Sequence, residues 1–192
     1  MLRLPVLLVP ALTLGLAACS PGTQDDAGAR AELAGDLFVD PSAPAEQLHW
    51  RDLLPEGEEE MLLALEEGRV PPTLMSQFQS RRDEQIGTFN VVEELDGLIV
   101  RMPGYILPLD YAERGQAREF LFMAYHGACI HYPPPPPNQI IYLRSAEPIA
   151  FGALWEPVWV EGRMEIQRVN TDLADTAYAM AVRSVRPFEG WP

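Results

Sequence analysis

Short segments of alternating apolar and polar residues occupy the chain from residue 89 onward. Alternation with a period of two is typical of β-strands that bury one face. The segments read NVVEEL, LIVRMPGYILPLD, EFLFMAY, IIYLRS, PVWVEGRMEIQRV and YAMAVRSVRPF. Pro103, Gly104 and Gly162 interrupt two of them and predict bends, the first of them at a β-bulge. The pattern therefore predicts six strands.

Strands of uneven length with glycine at the bends favour closure into a barrel. We therefore expect a mainly β domain, a small antiparallel barrel similar to the oligonucleotide/oligosaccharide-binding (OB) fold. The segments VRMPGYILPL and VWVEGRMEI are typical of the long coiled strands of such a barrel. A sandwich of the same strands is the alternative, and neither fold identifies a function.

A helical pattern appears only before the strands. Residues 56–68, EGEEEMLLALEEG, predict a short N-terminal amphipathic helix whose apolar stripe contains Met61, Leu62 and Leu65. The run Glu58–Glu60 is expected on a solvated face, where the helix dipole favours negative charge.

The first 18 residues have the order of a lipoprotein signal peptide, with Arg3, an apolar stretch and small residues before Cys19. Leu16-Ala17-Ala18-Cys19 matches a lipobox, in which Cys19 receives lipid and anchors the chain to a membrane leaflet. The residues after Cys19 carry no aspartate retention signal. We therefore expect a lipid-anchored protein of the periplasm, held at the outer membrane.

The remaining chain divides into two parts. Residues 19–35 are small and acidic, which predicts a flexible tether. Residues 36–192 are long enough for a single mainly β domain with its own core. Trp50, Leu53 and Leu54 are predicted to anchor the first segment of this domain to the barrel.

Charge and cysteine content narrow the function. The chain has 28 Asp and Glu against 14 Lys and Arg, a net charge of −14, which disfavours nucleic acid as a partner. With Cys19 lipidated, Cys129 has no intrachain partner in an oxidising compartment. Cys129 is then inert, reactive or a metal ligand.

The chemistry of the sequence concentrates between the third and fourth predicted strands, where His126, Cys129 and His131 follow closely on one another. Imidazole and thiolate are preferred ligands of zinc and copper, and three such donors fill three tetrahedral positions. Cys129 and His131 project to one side of an extended segment, and Gly127 permits a turn that brings His126 back. We predict a metal site, for zinc before copper, although the spacing matches no established zinc finger.

Other interpretations of this segment stay open. The three side chains can form a structural cluster without chemistry, or Cys129 can act as a nucleophile with a histidine base. An orienting Asn or Asp and a second cysteine at Cys-x-x-Cys spacing are both missing from the pattern, which favours a non-enzymatic role.

A run of five prolines follows the histidines: Pro133, Pro134, Pro135, Pro136 and Pro137. Such a run imposes a polyproline helix without backbone donors. It can act as a rigid strap that fixes the preceding segment, or as a ridge that docks into a partner's aromatic groove.

RMPGYILPLD, FLFMAYHGACIHYPPPPPNQIIY and EPVWVEGRM together resemble the domain-of-unknown-function 3299 family of bacterial exported proteins. The resemblance runs from His49 to Phe188, and its most specific motif falls on His126, Cys129, His131 and the prolines. It implies an envelope lipoprotein or periplasmic protein that serves an ABC-type transport system, in some bacteria under zinc control.

The expected function is therefore transition-metal binding, with zinc as the ion, as an accessory to an ABC-type transporter in metal homeostasis. The alternative is a non-catalytic scaffold that docks a transporter subunit through its prolines, and the third is a thiol-dependent enzyme that uses Cys129. The membrane, through the lipid anchor, and a transporter subunit are the expected partners.

Overall fold

Six strands form one sheet in the computed structural model, which describes residues 36–66, 85–110, 115–127 and 134–190. The strands are β1 (Glu46–Gln47), β2 (Ile99–Pro108), β3 (Gln116–Met123), β4 (Ile140–Ala150), β5 (Val158–Asn170) and β6 (Asp175–Pro187). The helix α1 spans Glu58–Glu66, and 3-10 turns lie at Trp50–Leu53, Glu93–Leu95 and Pro137–Gln139.

The sheet closes into a five-stranded barrel. Its strand order is β1-β2-β3-β4-β6-β5, and β2 also pairs with β5, so that β2 to β6 form a ring with β1 beside it. The prediction of a small OB-like barrel is confirmed. One detail differs from an all-antiparallel barrel, because β4 and β6 pair in parallel, as do β1 and β2.

The alternating pattern places one face of each strand inside the barrel. The interior contains Val100, Met102, Phe120, Phe122, Ile141, Leu143, Val160, Met164, Tyr178 and Met180. Burial of such side chains contributes about 1.5–3 kcal/mol each and is the main force that closes the ring.

The segment NVVEEL is not a strand, and this prediction is wrong. Glu93–Leu95 forms a 3-10 turn, in which the Leu95 and Asp96 amides donate to the Val92 and Glu93 carbonyls. Tyr178 fixes this turn, because its hydroxyl accepts from the Val92 amide at 2.7 Å and donates to the Leu53 carbonyl at 2.9 Å. Burial raises the pKa of Tyr178 to about 12, so the phenol stays neutral in this bridge.

Two glycines allow strands to approach closely. At Gly104, β2 changes from pairing with β5 to pairing with β3, without a register shift, so the predicted bulge is absent there. A Cβ at Gly104 would lie 2.6 Å from the Met123 carbonyl oxygen. The kink predicted at Gly162 coincides with a register shift between β5 and β6, where Arg183 of β6 is the extra residue, and a Cβ at Gly162 would lie 2.3 Å from the Ala181 oxygen.

The predicted helix is present as α1, with Met61 and Leu62 half-buried. The side chain of Leu65 lies outside the described part. Leu53 is fully buried and the Trp50 indole donates to the Pro103 carbonyl at 2.8 Å, which confirms these two residues as anchors. No helix in the described ranges is both long and apolar enough to cross a bilayer.

The segment before β1 lies across the outer face of the barrel. Arg163 donates to the Phe38 carbonyl at 3.1 Å and also to that of Asp36, while Arg183 donates to the Ala43 carbonyl at 2.9 Å. Arginines of β5 and β6 therefore hold the first described residues on the sheet.

We predict that Gly162→Ala destabilises the fold by about 1–3 kcal/mol, because the new methyl group overlaps the backbone of β6. Gly152→Ala is the matched control, since its Cβ would meet only the end of the Glu156 side chain at 3.2 Å. Urea unfolding of both variants measures the difference. Equal stabilities would show that β5 and β6 are not closely packed at Gly162.

Candidate functional site

His126 lies just beyond the end of β3. The strand ends at Met123, two residues earlier than the sequence pattern predicted, and the chain then bends through Ala124 and Tyr125. The His126 side chain is exposed, and its ring contacts the Tyr105 ring edge-on, with centroids 5.9 Å apart. Gly127 has a φ of 83°, a left-handed conformation that glycine adopts without strain, and it turns the chain as predicted.

The other two predicted ligands, Cys129 and His131, lie outside the described residues, as do Pro133 and the lipid-attachment residue Cys19. Within the described ranges, no group of three or more His, Cys, Asp or Glu side chains could hold a metal ion. The metal site therefore stays a prediction. We call residues 126–133 the His/Cys loop.

Both ends of the connection that contains the His/Cys loop meet in the sheet. Met123, the last residue of β3, is the partner of Ile140, the first residue of β4. Directly opposed residues of antiparallel strands lie about 4.5–5.5 Å apart. The connection is thus a closed hairpin, and its donor side chains all belong to one short length of chain.

The prolines on the return side of this hairpin pack closely on the chain. Pro135 and Pro137 are buried, whereas Pro134 and Pro136 are half-buried. A Cβ at Gly87 would lie 2.5 Å from the Pro136 Cβ, so only glycine allows this approach. We call residues 134–137 the proline strap, because they pack against the chain as a rigid segment. Two of these four prolines are largely inaccessible to a partner.

Gln85 fastens the strap to the barrel. Its side chain is fully buried, and its amide group donates to the carbonyls of Pro135 at 2.7 Å and Asp175 at 2.9 Å. Its amide oxygen accepts from the Asp175 amide at 2.9 Å. Pro135 is buried, so its carbonyl needs a hydrogen-bond donor from the protein. Neighbouring prolines have no backbone N–H to offer, and the Gln85 side chain supplies the donor instead.

A buried carboxylate holds the end of the strap. Glu58, at the start of α1, is 6 % exposed. Its oxygens accept from the Thr88 hydroxyl at 2.8 Å, from the side-chain amide of Asn138 at 2.7 Å and from the side-chain amide of Asn90. Hydrogen bonds to an ionised acceptor are about twice as strong as neutral ones, so this cluster joins three distant segments firmly.

The expectation that Glu58–Glu60 would be solvated is thus wrong for Glu58, although Glu59 and Glu60 are exposed. Its partners lie 30 and 80 positions away in the sequence, so no local pattern marks it. The carboxylate borders an open cleft of about 510 Å³, in which the Arg168 guanidinium lies 4.5 Å above the Phe89 ring.

Asn138 retains one unused acceptor. Its amide nitrogen donates to Glu58, to Thr88 and, at 3.0 Å, to the Asn90 carbonyl, which fixes the orientation of the amide. Its buried Oδ1 has no hydrogen-bond partner among the residues that the structure describes. The next residue, Gln139, donates to the Trp50 carbonyl at 3.1 Å and joins the strap to the first 3-10 turn.

A family model described as "Protein of unknown function (DUF3299)" matches residues 50–187. The chain belongs to the DUF3299 family. A crystal structure of a DUF3299 family protein from Pseudomonas aeruginosa PAO1 is similar, with 34% sequence identity and a TM-score of 0.59. The match covers 78% of this chain and 100% of that one. No curated protein matches this DUF3299 chain.

We predict that Glu58→Ala destabilises the protein by about 2–4 kcal/mol, because it removes the shared acceptor of the Thr88, Asn90 and Asn138 side chains, of which Asn138 is fully buried. Glu59→Ala, on the exposed side of the same helix turn, should change stability by less than about 0.5 kcal/mol. Chemical unfolding of the two variants checks both values. If both substitutions were neutral, the cluster would not fix the strap.

Proposed function

We propose that this protein is a lipid-anchored envelope protein that binds a transition metal, with zinc as the first choice, through His126, Cys129 and His131. In this role the protein would be an accessory to an ABC-type transporter that acts in metal homeostasis. The observation that carries the proposal is the closed hairpin, because it confines all three donors to a connection whose ends are held together by Met123 and Ile140.

The chemistry of the donors supports zinc. Thiolate and imidazole are both preferred ligands of this ion, and with three such donors a fourth position stays open for water or for a ligand from a partner. An open position suits transfer of the ion, whereas structural zinc sites are closed. Exposure of His126 keeps its imidazole accessible to an ion from solvent.

Fixed loop ends also support binding. Ligands on a long unrestrained segment lose conformational entropy when they converge on an ion, and a connection that is already closed loses less. Gln85 and Glu58 hold the return side of the hairpin through buried hydrogen bonds. The strap therefore contributes to metal affinity without contacting the ion.

The anchor and the transporter rest on other observations. The lipobox Leu16-Ala17-Ala18-Cys19 supports attachment to the outer membrane. The transporter role follows from the resemblance of the motif-bearing segments to exported proteins that accompany such systems. Docking through the prolines is a weaker proposal, since Pro135 and Pro137 are buried, and a thiol enzyme requires a reactive Cys129.

The metal site is tested on the full chain, purified without an affinity tag and stripped with a chelator. We expect about one zinc ion per chain by elemental mass spectrometry after reloading. His126→Ala and Cys129→Ser should each lower zinc affinity at least about tenfold, because each leaves only two donors. His49→Ala is the matched control, since it removes a histidine outside the loop.

Retention of one zinc ion with unchanged affinity in both loop variants would contradict the proposed ligands. Equal loss in the His49 variant would place the ion elsewhere or make binding dependent on overall histidine content. Circular dichroism of each variant separates loss of the ion from loss of the fold.

A further inference from the structure

A second cleft lies on the outer face of the barrel, near the start of β5 and the end of β6. Its volume is about 520 Å³, and we call it the Trp159 cleft. It is lined by Arg101, Trp159, Glu161, Ser184, Arg186 and Glu189, with Pro187 and Gly190 at its end. Strand register brings these side chains together, because Trp159 is opposite Arg186 and Glu161 is opposite both Arg101 and Ser184.

The guanidinium of Arg101 is held in position. It donates to the Gln47 side-chain oxygen at 2.6 Å, and its central carbon lies 5.0 Å from the centroid of the Trp159 ring. The Phe188 ring packs against Trp159 with a centroid distance of 5.4 Å. The cleft thus combines an oriented positive group with an aromatic wall, and orienting a group in advance lowers the cost of binding.

Neither arginine of this cleft has a carboxylate partner among the described residues. Other arginines do form such pairs: Arg118 with Glu147, Arg144 and Arg163 with Glu165, and Arg183 with Glu161. The whole chain has twice as many acidic as basic residues, so carboxylates are plentiful. Arg101 and Arg186 line the same cleft without a carboxylate partner in the described part of the chain. Their guanidinium groups therefore provide donors for an anion.

We infer that the Trp159 cleft binds a small monocarboxylate with an apolar portion. Arg101 and Arg186 donate to the carboxylate, and the apolar portion packs against Trp159 and Pro187. A single negative charge is favoured over a dianion such as phosphate, because the Glu161 and Glu189 carboxylates also line the cleft and repel additional charge. Arg183 neutralises Glu161 at 2.7 Å, which leaves the local balance positive.

The probe is benzoate, titrated into the full chain in detergent and followed by the indole N–H resonance of Trp159, assigned with Trp159→Phe. We expect saturable shifts with benzoate, and at least tenfold weaker binding of neutral benzamide and of inorganic phosphate. Arg186→Gln, which changes an exposed side chain, should weaken benzoate at least tenfold. Arg168→Gln, which changes an arginine of the other cleft, should have no effect.

Equal binding of benzoate and benzamide would overturn the carboxylate assignment, and so would tighter binding of phosphate. An Arg186→Gln variant that binds benzoate as well as the unchanged chain would overturn the role of that arginine. Because the Trp159 cleft and the His/Cys loop share no residue, either proposal can fail without the other.

Discussion

The buried carboxylate of Glu58 is the interaction on which the arrangement of the loops depends. A carboxylate removed from water costs several kcal/mol unless hydrogen bonds compensate it, so Glu58 requires its donors, and the fully buried Asn138 uses Glu58 as an acceptor in turn. Thr88, Asn90 and Asn138 supply them from two separate segments. The cluster therefore sets where α1, the segment before β2 and the end of the proline strap lie relative to one another.

The proline strap is also held in place at positions before this cluster. Gln85 satisfies the Pro135 carbonyl, and Gly87 allows the prolines to pack directly on the backbone. On the other side, β3 brings the chain to Met123, opposite Ile140. The barrel therefore fixes the start of the hairpin at Met123, and the polar cluster around Glu58 fixes its return side. A loop closed in this way suits ligands that must converge on one ion.

The fold was largely predictable because strand alternation reports directly which side chains face a core, as at Phe120 and Phe122. The strand prediction failed at Glu93–Leu95, because the alternating run is short there and local hydrogen bonds form a turn instead. The buried role of Glu58 was not predictable, since a glutamate in the first turn of a helix is normally solvated and its partners are remote in sequence. The Trp159 cleft depends on the register of β2, β5 and β6, which the sequence does not specify. Of the proposed ligands, His126 lies just beyond the end of β3, and the roles of Cys129 and His131 stay predictions from their spacing.

The most direct test of the central claim is X-ray absorption at the zinc edge of the reloaded full chain, because it identifies the atoms bound to the ion. The account predicts one sulfur at about 2.3 Å together with nitrogen at about 2.0–2.1 Å. Coordination by oxygen and nitrogen without sulfur would contradict it, since Cys129 would then not be a ligand.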